Sequence, residues 1–204
     1  MEQRTEEWFA ARLGKVTASK VSDVMAKTKS GYSASRATYM SQLLVERMTG
    51  TRAEGFTNSA MQWGTDTEPQ ARAAYEFITD NTVTEIGFVD HPFIKMSGAS
   101  PDGLVGDVGM LEIKCPNTST HIQTLLDEKI PKRYVDQMQW QMACTERDWC
   151  DFVSFDPRMP AGHEYFCSRL KRDDKGIADM EAEVADFLEE LSKQIETLNE
   201  RLKK

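Results

Sequence analysis

Two short segments hold residues whose types and spacing could do chemistry: Ser100-Pro101-Asp102-Gly103, and Glu112-Ile113-Lys114 ten positions beyond Asp102. Side chains alternate along a strand, so Glu112 and Lys114 share one face while Ile113 enters the other. The intervening glycines let the chain fold back, and a hairpin would bring Asp102 beside Glu112. Two carboxylates define a hard-cation site suited to Mg²⁺ or Mn²⁺. An ammonium on the same face can orient or deprotonate a metal-bound water and balance negative charge developing on phosphate. Phosphodiester hydrolysis is the chemistry such a set could perform. Taken alone, an acid and a lysine two apart on a strand are usually a solvated ion pair. The Pro-Asp at hairpin distance is what raises this pair above that background.

The elements that must position these residues are marked by start and stop signals. Residues 5–13 read as a short helix with Thr5 at its N-cap and Glu6 and Glu7 in its first turn. Thr17-Ala18-Ser19 leads into a second helix ending near Lys27, and a loop over 28–35 precedes a helix over 37–48 stopped by Gly50. Another helix runs Ser59–Thr79, with an interruption or kink expected near Gly64 and Pro69. The middle changes period: strands are expected over 82–89, 93–97, 99–105 and 110–114, with Asp90-His91-Pro92 supplying a turn. A helix over 130–145, strands over 150–155 and 164–171, and a long amphipathic helix over 176–202 complete the chain. Val184, Leu188, Leu191, Ile195, Leu198 and Leu202 form the apolar stripe of that last helix. This order predicts an α/β (α+β) fold with a mixed central sheet.

The chain has 204 residues, 40% hydrophobic and 28% charged, which suits one domain over 1–204 with its own core and excludes a disordered chain. No apolar run reaches the roughly 18–20 residues of a membrane span, and the opening Met1-Glu2-Gln3-Arg4 is no secretory signal, so a soluble cytoplasmic protein is expected. Cys115, Cys144, Cys150 and Cys167 lack metal-site spacing and read as buried free thiols; His91, His121 and His163 are equally scattered. The net charge of −8 is uneven. Residues 1–53 carry nine Lys/Arg against five Asp/Glu, and residues 173–204 carry five against ten. A basic N-terminal region could meet phosphates while acids elsewhere hold cations or keep the surface solvated.

Further segments join the Asp102 and Glu112-Ile113-Lys114 pair. They are Trp8 through Arg12-Leu13-Gly14 to Thr17-Ala18-Ser19, Trp63-Gly64 followed by Glu68, Leu111 to Pro116, Gln137-Met138-Gln139, and Asp156-Pro157-Arg158. In this order and with these separations, the chain resembles the lambda-exonuclease / YqaJ-like viral recombinase family (the phage alkaline exonucleases) of the PD-(D/E)xK nuclease superfamily. The resemblance implies a restriction-endonuclease-like core, a central mixed sheet flanked by helices. It implies that Asp102 and Glu112 bind catalytic Mg²⁺ with the main-chain carbonyl of Ile113, that Lys114 activates water, and that Glu68 is an additional acid near a second metal. Two ions per site are implied, with Mn²⁺ able to substitute. Gln137 matches the glutamine of the family's helical motif, and Arg12, Ser19 and Ser100 match a pocket for a 5′-terminal phosphate. Met61 sits where the family has an apolar wedge, though helix packing is nearly as good a reading.

The activity implied is Mg²⁺-dependent 5′→3′ digestion of double-stranded DNA to mononucleotides. It would leave a 3′ overhang for single-strand annealing beside an annealing recombinase, in a phage or prophage recombination module. A ring-shaped homotrimer is implied as well. A nicking endonuclease, or a DNA clamp without turnover, would use the same fold.

Overall fold

The computed structural model describes residues 1–29, 31–53 and 59–201; Leu202, the last member of the expected stripe, lies outside them. Helix α1 spans Glu6–Arg12, and the Thr5 hydroxyl caps it by accepting from the Trp8 amide at 3.3 Å. Strand β1 (Val16–Thr17) and helix α2 (Ala18–Met25) follow, then a small hairpin of β2 (Lys27–Thr28) and β3 (Gly31–Tyr32). Helix α3 (Ala34–Thr49) ends at Gly50, whose φ of 67° is the left-handed stop its sequence signals. Helix α4 runs Ser59–Thr79 as one element through Gly64 and Pro69.

The centre is built from β4 (Val83–Thr84), β5 (Val89–Asp90), β6 (Ser97–Ala99), β7 (Gly103–Val105) and β8 (Gly109–Lys114). Helices α5 (Thr118–Asp127) and α6 (Lys132–Thr145), strands β9 (Trp149–Phe155) and β10 (Tyr165–Lys171), and helix α7 (Asp174–Arg201) complete the order. The main sheet has five strands in the order β10-β9-β8-β7-β4, parallel between β8 and β9 and antiparallel elsewhere. A second sheet, β1-β6-β5, joins the N-terminal region to the segment leading into β7.

Alternation along β8 decides what each face buries. Leu111 and Ile113 pack with Ala71 and Tyr75 of α4, while Met110 faces Met138 and Met142 of α6. The far side of α6, with Trp140, Ala143 and Cys144, meets α2, α3 and the α7 stripe through Val184, Phe187 and Leu191. Helix α6 is therefore buried on both sides; its Gln137 and Gln141 reach β8, while Gln139 reaches the Lys171 carbonyl of β10. The mixed sheet with helices on both faces is the predicted fold class.

Several local expectations are corrected. Residues 82–89 and 93–97 do not form full strands. The Ile86 carbonyl is taken by the Gln3 amide at 2.9 Å, and His91 Nδ1 accepts from the Phe93 and Ile94 amides at 3.2 and 3.1 Å, holding a turn until β6 begins. The expected strand over 99–105 is divided between β6 and β7 by Ser100-Pro101-Asp102. Helix α5, unforeseen, is capped by Asn117, whose Oδ1 accepts from the Thr120 amide at 2.9 Å. Cys115, Cys144 and Cys150 are buried free thiols as expected, but Cys167 is exposed. Among the described residues, no helix is long and apolar enough to cross a membrane.

Candidate active site

The link between β6 and β7 places Asp102. The β7–β8 ladder pairs Gly103 with Leu111, and Asp102 takes the place beyond it: its Oδ2 accepts the Ile113 N–H at 2.7 Å. A side chain thus substitutes for a strand, tying Asp102 to the strand that carries Glu112. The expected juxtaposition is present.

Glu112 points from β8 toward α6 and is 1% exposed. Its Oε1 accepts from Gln137 Nε2 at 2.6 Å and pairs with the Lys114 ammonium, and its Oε2 accepts from Gln141 Nε2 at 2.7 Å. The two glutamines stand four apart on α6 and so share a face. The Lys114 ammonium also lies 5.2 Å from the Tyr134 ring centroid. Burial, followed by the neighbouring Glu112 charge, pushes the Asp102 carboxyl well above the usual carboxylate range, with Lys114 pulling the other way. Burial opposes the charge on Lys114, yet Glu112 and Asp102 hold its pKa above the ordinary lysine value.

Two carboxylates and one ammonium, with Glu112 buried and Asp102 and Lys114 half-buried, leave the set with surplus negative charge whenever both acids are ionised. An uncompensated charge is costly away from water. An oxygen-ligated divalent cation relieves that cost, so the donor set fits Mg²⁺ or Mn²⁺. Glu68 lies close enough for its charge to raise Asp102 further, but its own oxygens are held by Arg72 at 2.9 Å and Arg4 at 2.6 Å. Among the described residues no group of three or more His, Cys, Asp or Glu side chains converges. The structure therefore assembles Asp102, Glu112, Lys114 and Gln137 and leaves Glu68 beside them, engaged by arginines. Ile113 gives its N–H to Asp102 and its side chain to the core against α4.

A second cluster begins two residues before Asp102. Ser100 Oγ accepts from Trp8 Nε1 at 2.9 Å and from Arg12 Nη1 at 3.1 Å, and the Arg12 guanidinium lies 4.1 Å over the Trp8 ring. Arg12 opens on a cleft of about 340 Å³ also lined by Lys15, Ser19, Lys20, Arg52 and Met61. Burial lowers the Arg12 pKa to about 10. Ser19 is exposed to the cleft in the first turn of α2, and Met61, 54% exposed, lines it. The turn carrying Arg12 is fixed by Gly14, whose N–H goes to Glu46 at 2.9 Å and whose carbonyl accepts from Arg47 at 2.8 Å. Gly14 has φ +67°, and an added Cβ would lie 2.8 Å from Arg47 Cγ, so only glycine fits the clamp.

All the residues expected for an end pocket share this cleft or touch it. Sequence reasoning missed Gln141, whose spacing from Gln137 was the available signal, and the extra cations Lys15, Lys20 and Arg52. The Asp156-Pro157-Arg158 segment is structural at its base: buried Asp156 accepts from Thr118 at 2.6 Å and grips Arg158, which lies 4.1 Å over Trp63.

Residues 7–148 match the model of the YqaJ-like viral recombinase domain. The chain is 56% identical to an alkaline exonuclease from Laribacter hongkongensis, with a TM-score of 0.92 over 97% of this chain and 98% of that one. The same figures describe its likeness to that enzyme in complex with dAMP. It shares its fold with a phage-related exonuclease from Haemophilus somnus 129PT, at 16% identity and a TM-score of 0.75 over 90% of this chain and 96% of that one. No curated protein matches the chain.

Proposed function

Since the chain belongs to the YqaJ-like viral recombinase family, we propose that it is a DNA exonuclease. Our reading is that it degrades one strand of duplex DNA 5′→3′ to mononucleotides, with Mg²⁺ as cofactor. The observation that carries this reading is the tripeptide Ser100-Pro101-Asp102. One end touches the guanidinium of a basic cleft, and the other joins an Asp/Glu/Lys set built around buried Glu112. The likeness to an alkaline exonuclease over nearly its whole length supports the nuclease part of the reading. That enzyme's complex with dAMP is in keeping with a mononucleotide product.

Asp102 and Glu112, with the carbonyl of Ile113, would hold the cation; Glu68 is the acid proposed for a second one, in competition with Arg4 and Arg72. Bound Mg²⁺ supplies Lewis-acid stabilisation of phosphate oxygens and a water of lowered pKa. Lys114, kept protonated by Glu112 and Asp102, orients the attacking water and balances charge growing on the scissile phosphate. Gln137 holds the Glu112 carboxylate in place. Arg12 and the Ser19 and Ser100 hydroxyls take the 5′-terminal phosphate: a planar guanidinium with flanking hydroxyls suits a dianion that is present only where a strand ends. Met61, which lines the same cleft, is the apolar wedge proposed to separate the strands. The 3′ overhang left behind is the substrate of a single-strand annealing recombinase, and a homotrimeric ring in the bacterial cytoplasm is the assembly we propose.

The test uses end-labelled linear duplexes bearing 5′-phosphate or 5′-hydroxyl, with and without Mg²⁺, beside a covalently closed circle. Release of labelled mononucleotide from phosphorylated linear DNA, only with the metal and with the circle intact, is expected. Cutting of the circle would make the protein an endonuclease, and binding without release would make it a clamp.

A further inference from the structure

The two oxygens of Glu112 are not equivalent. Oε1 is shared by Lys114 and Gln137, which stand on the open side of the site. Among the described residues Oε2 receives a single donor, Gln141 Nε2 at 2.7 Å, from a side chain that is 0% exposed in the core around α6. A carboxylate only accepts, so the amide must present its N–H to it. The other end of the same amide, Oε1, is buried without a hydrogen-bond partner among the described residues. An orphaned buried amide oxygen is a cost that the fold tolerates to keep the donor aimed at Glu112.

We propose that Gln141 makes Glu112 a one-oxygen ligand and thereby sets which divalent cation the site accepts. The inference rests on the metal reading above and goes beyond it. Mg²⁺ requires compact octahedral coordination and takes carboxylates through single oxygens, whereas Ca²⁺ takes more ligands and commonly uses both oxygens of a carboxylate. With Oε2 bonded to a buried amide, two-oxygen binding needs that bond broken inside the core. Gln141 acts through Glu112, so it is a positioning residue, and its signature is a ratio of ion affinities.

The experiment is calorimetric titration of the DNA-free protein with Mg²⁺, Mn²⁺ and Ca²⁺. Gln141→Leu and Gln141→Met both keep the approximate volume and remove the donor; the second, unbranched, serves if the first fails to fold. Either should raise the Ca²⁺-to-Mg²⁺ affinity ratio by at least about tenfold, the scale on which residues supporting a metal ligand act. Ile177→Ala should lower Tm without moving the ratio, which separates the effect from loss of stability. An unchanged ratio in a cooperatively folding Gln141 variant, or an equal fall in both affinities, would overturn the proposal. Wild-type protein that binds no ion, or binds as well after Asp102→Ala, would instead overturn the metal reading on which it stands.

Discussion

Removing the Arg12 guanidinium separates recognition of the strand end from the chemistry. In the folded protein this group donates to Ser100 Oγ at 3.1 Å and covers the Trp8 ring at 4.1 Å. Losing one neutral-acceptor hydrogen bond and one partly desolvated cation–π contact costs about 2 kcal/mol. For a chain of this size that lowers Tm by roughly 4–8 °C. This cost falls equally on every substrate. What differs between substrates is the charge-assisted contact to a terminal phosphate, worth about 1.5–3 kcal/mol. At about 1.4 kcal/mol per decade, Arg12→Ala should therefore shrink the preference for 5′-phosphoryl over 5′-hydroxyl ends by about 10- to 150-fold in kcat/KM. Arg12→Lys keeps a charge but loses the planar fork, and should fall between wild type and alanine. The assay is release of end label from matched duplexes at fixed ionic strength, because phosphate contacts weaken with salt. An equal fractional loss on both ends would make Arg12 a general backbone contact and would refute the end pocket.

Asp102→Ala and Glu112→Ala should each lower cleavage at least about 10³-fold while duplex binding, read by fluorescence anisotropy, survives; activity within tenfold of wild type in either would remove the residue from the site. Lys114→Ala should keep Mg²⁺ binding by calorimetry yet lose most of the single-turnover rate, and joint loss of both would make the lysine structural. His91 stacks on Trp140 with ring centroids 4.8 Å apart, and burial keeps its pKa below 6.5 against the pull of Glu181. The unfolded chain therefore takes up the proton first, and stability falls as pH drops below 6.5. Asn can accept the same turn amides without titrating, so His91→Asn should lose less Tm than wild type between about pH 7.5 and about pH 5.5; equal losses would assign the acid sensitivity elsewhere. Light scattering at micromolar concentration should give about three times 23.1 kDa for the proposed ring, and a monomer that digests long duplexes without releasing them would overturn that assembly.

Local signals with a steric origin carried far in this chain. Thr5, Gly50 and the alternation of Glu112, Ile113 and Lys114 act within a few residues, and each appears in the structure where the pattern puts it. The stripe of α7 is legible for the same reason, and Val184, Leu188 and Leu191 are buried against their own chain. What escaped the pattern depends on partners distant in sequence. The strand expected over 82–89 gives way to a side chain 83 residues away, Gln3, which takes the Ile86 carbonyl. The turn after His91 is set by an imidazole nitrogen that hydropathy does not register. Helix α5 is mostly polar and rests on its Asn117 cap and a buried His121, bonded to Ser154 at 2.8 Å. In the site, residue types and spacing named Asp102, Glu112 and Lys114, but the arginines that hold Glu68 and the amide of Gln141 required the fold.

The three residues from Ser100 to Asp102 act as a caliper. Each is clamped from outside the segment: Ser100 by Trp8, the Pro101 carbonyl by Gln3 at 2.8 Å, and Asp102 by the Ile113 amide. The proline ring fixes φ at the middle position. Two residues of extended chain span at most about 7 Å, so the main-chain anchors of the two jaws cannot drift apart by more than that. In an exonuclease working as proposed, one jaw reads the terminal phosphate and the other sets the bond that breaks. The length of the excised unit then belongs to the backbone and not to the bases, and digestion should advance in steps of constant size through any sequence.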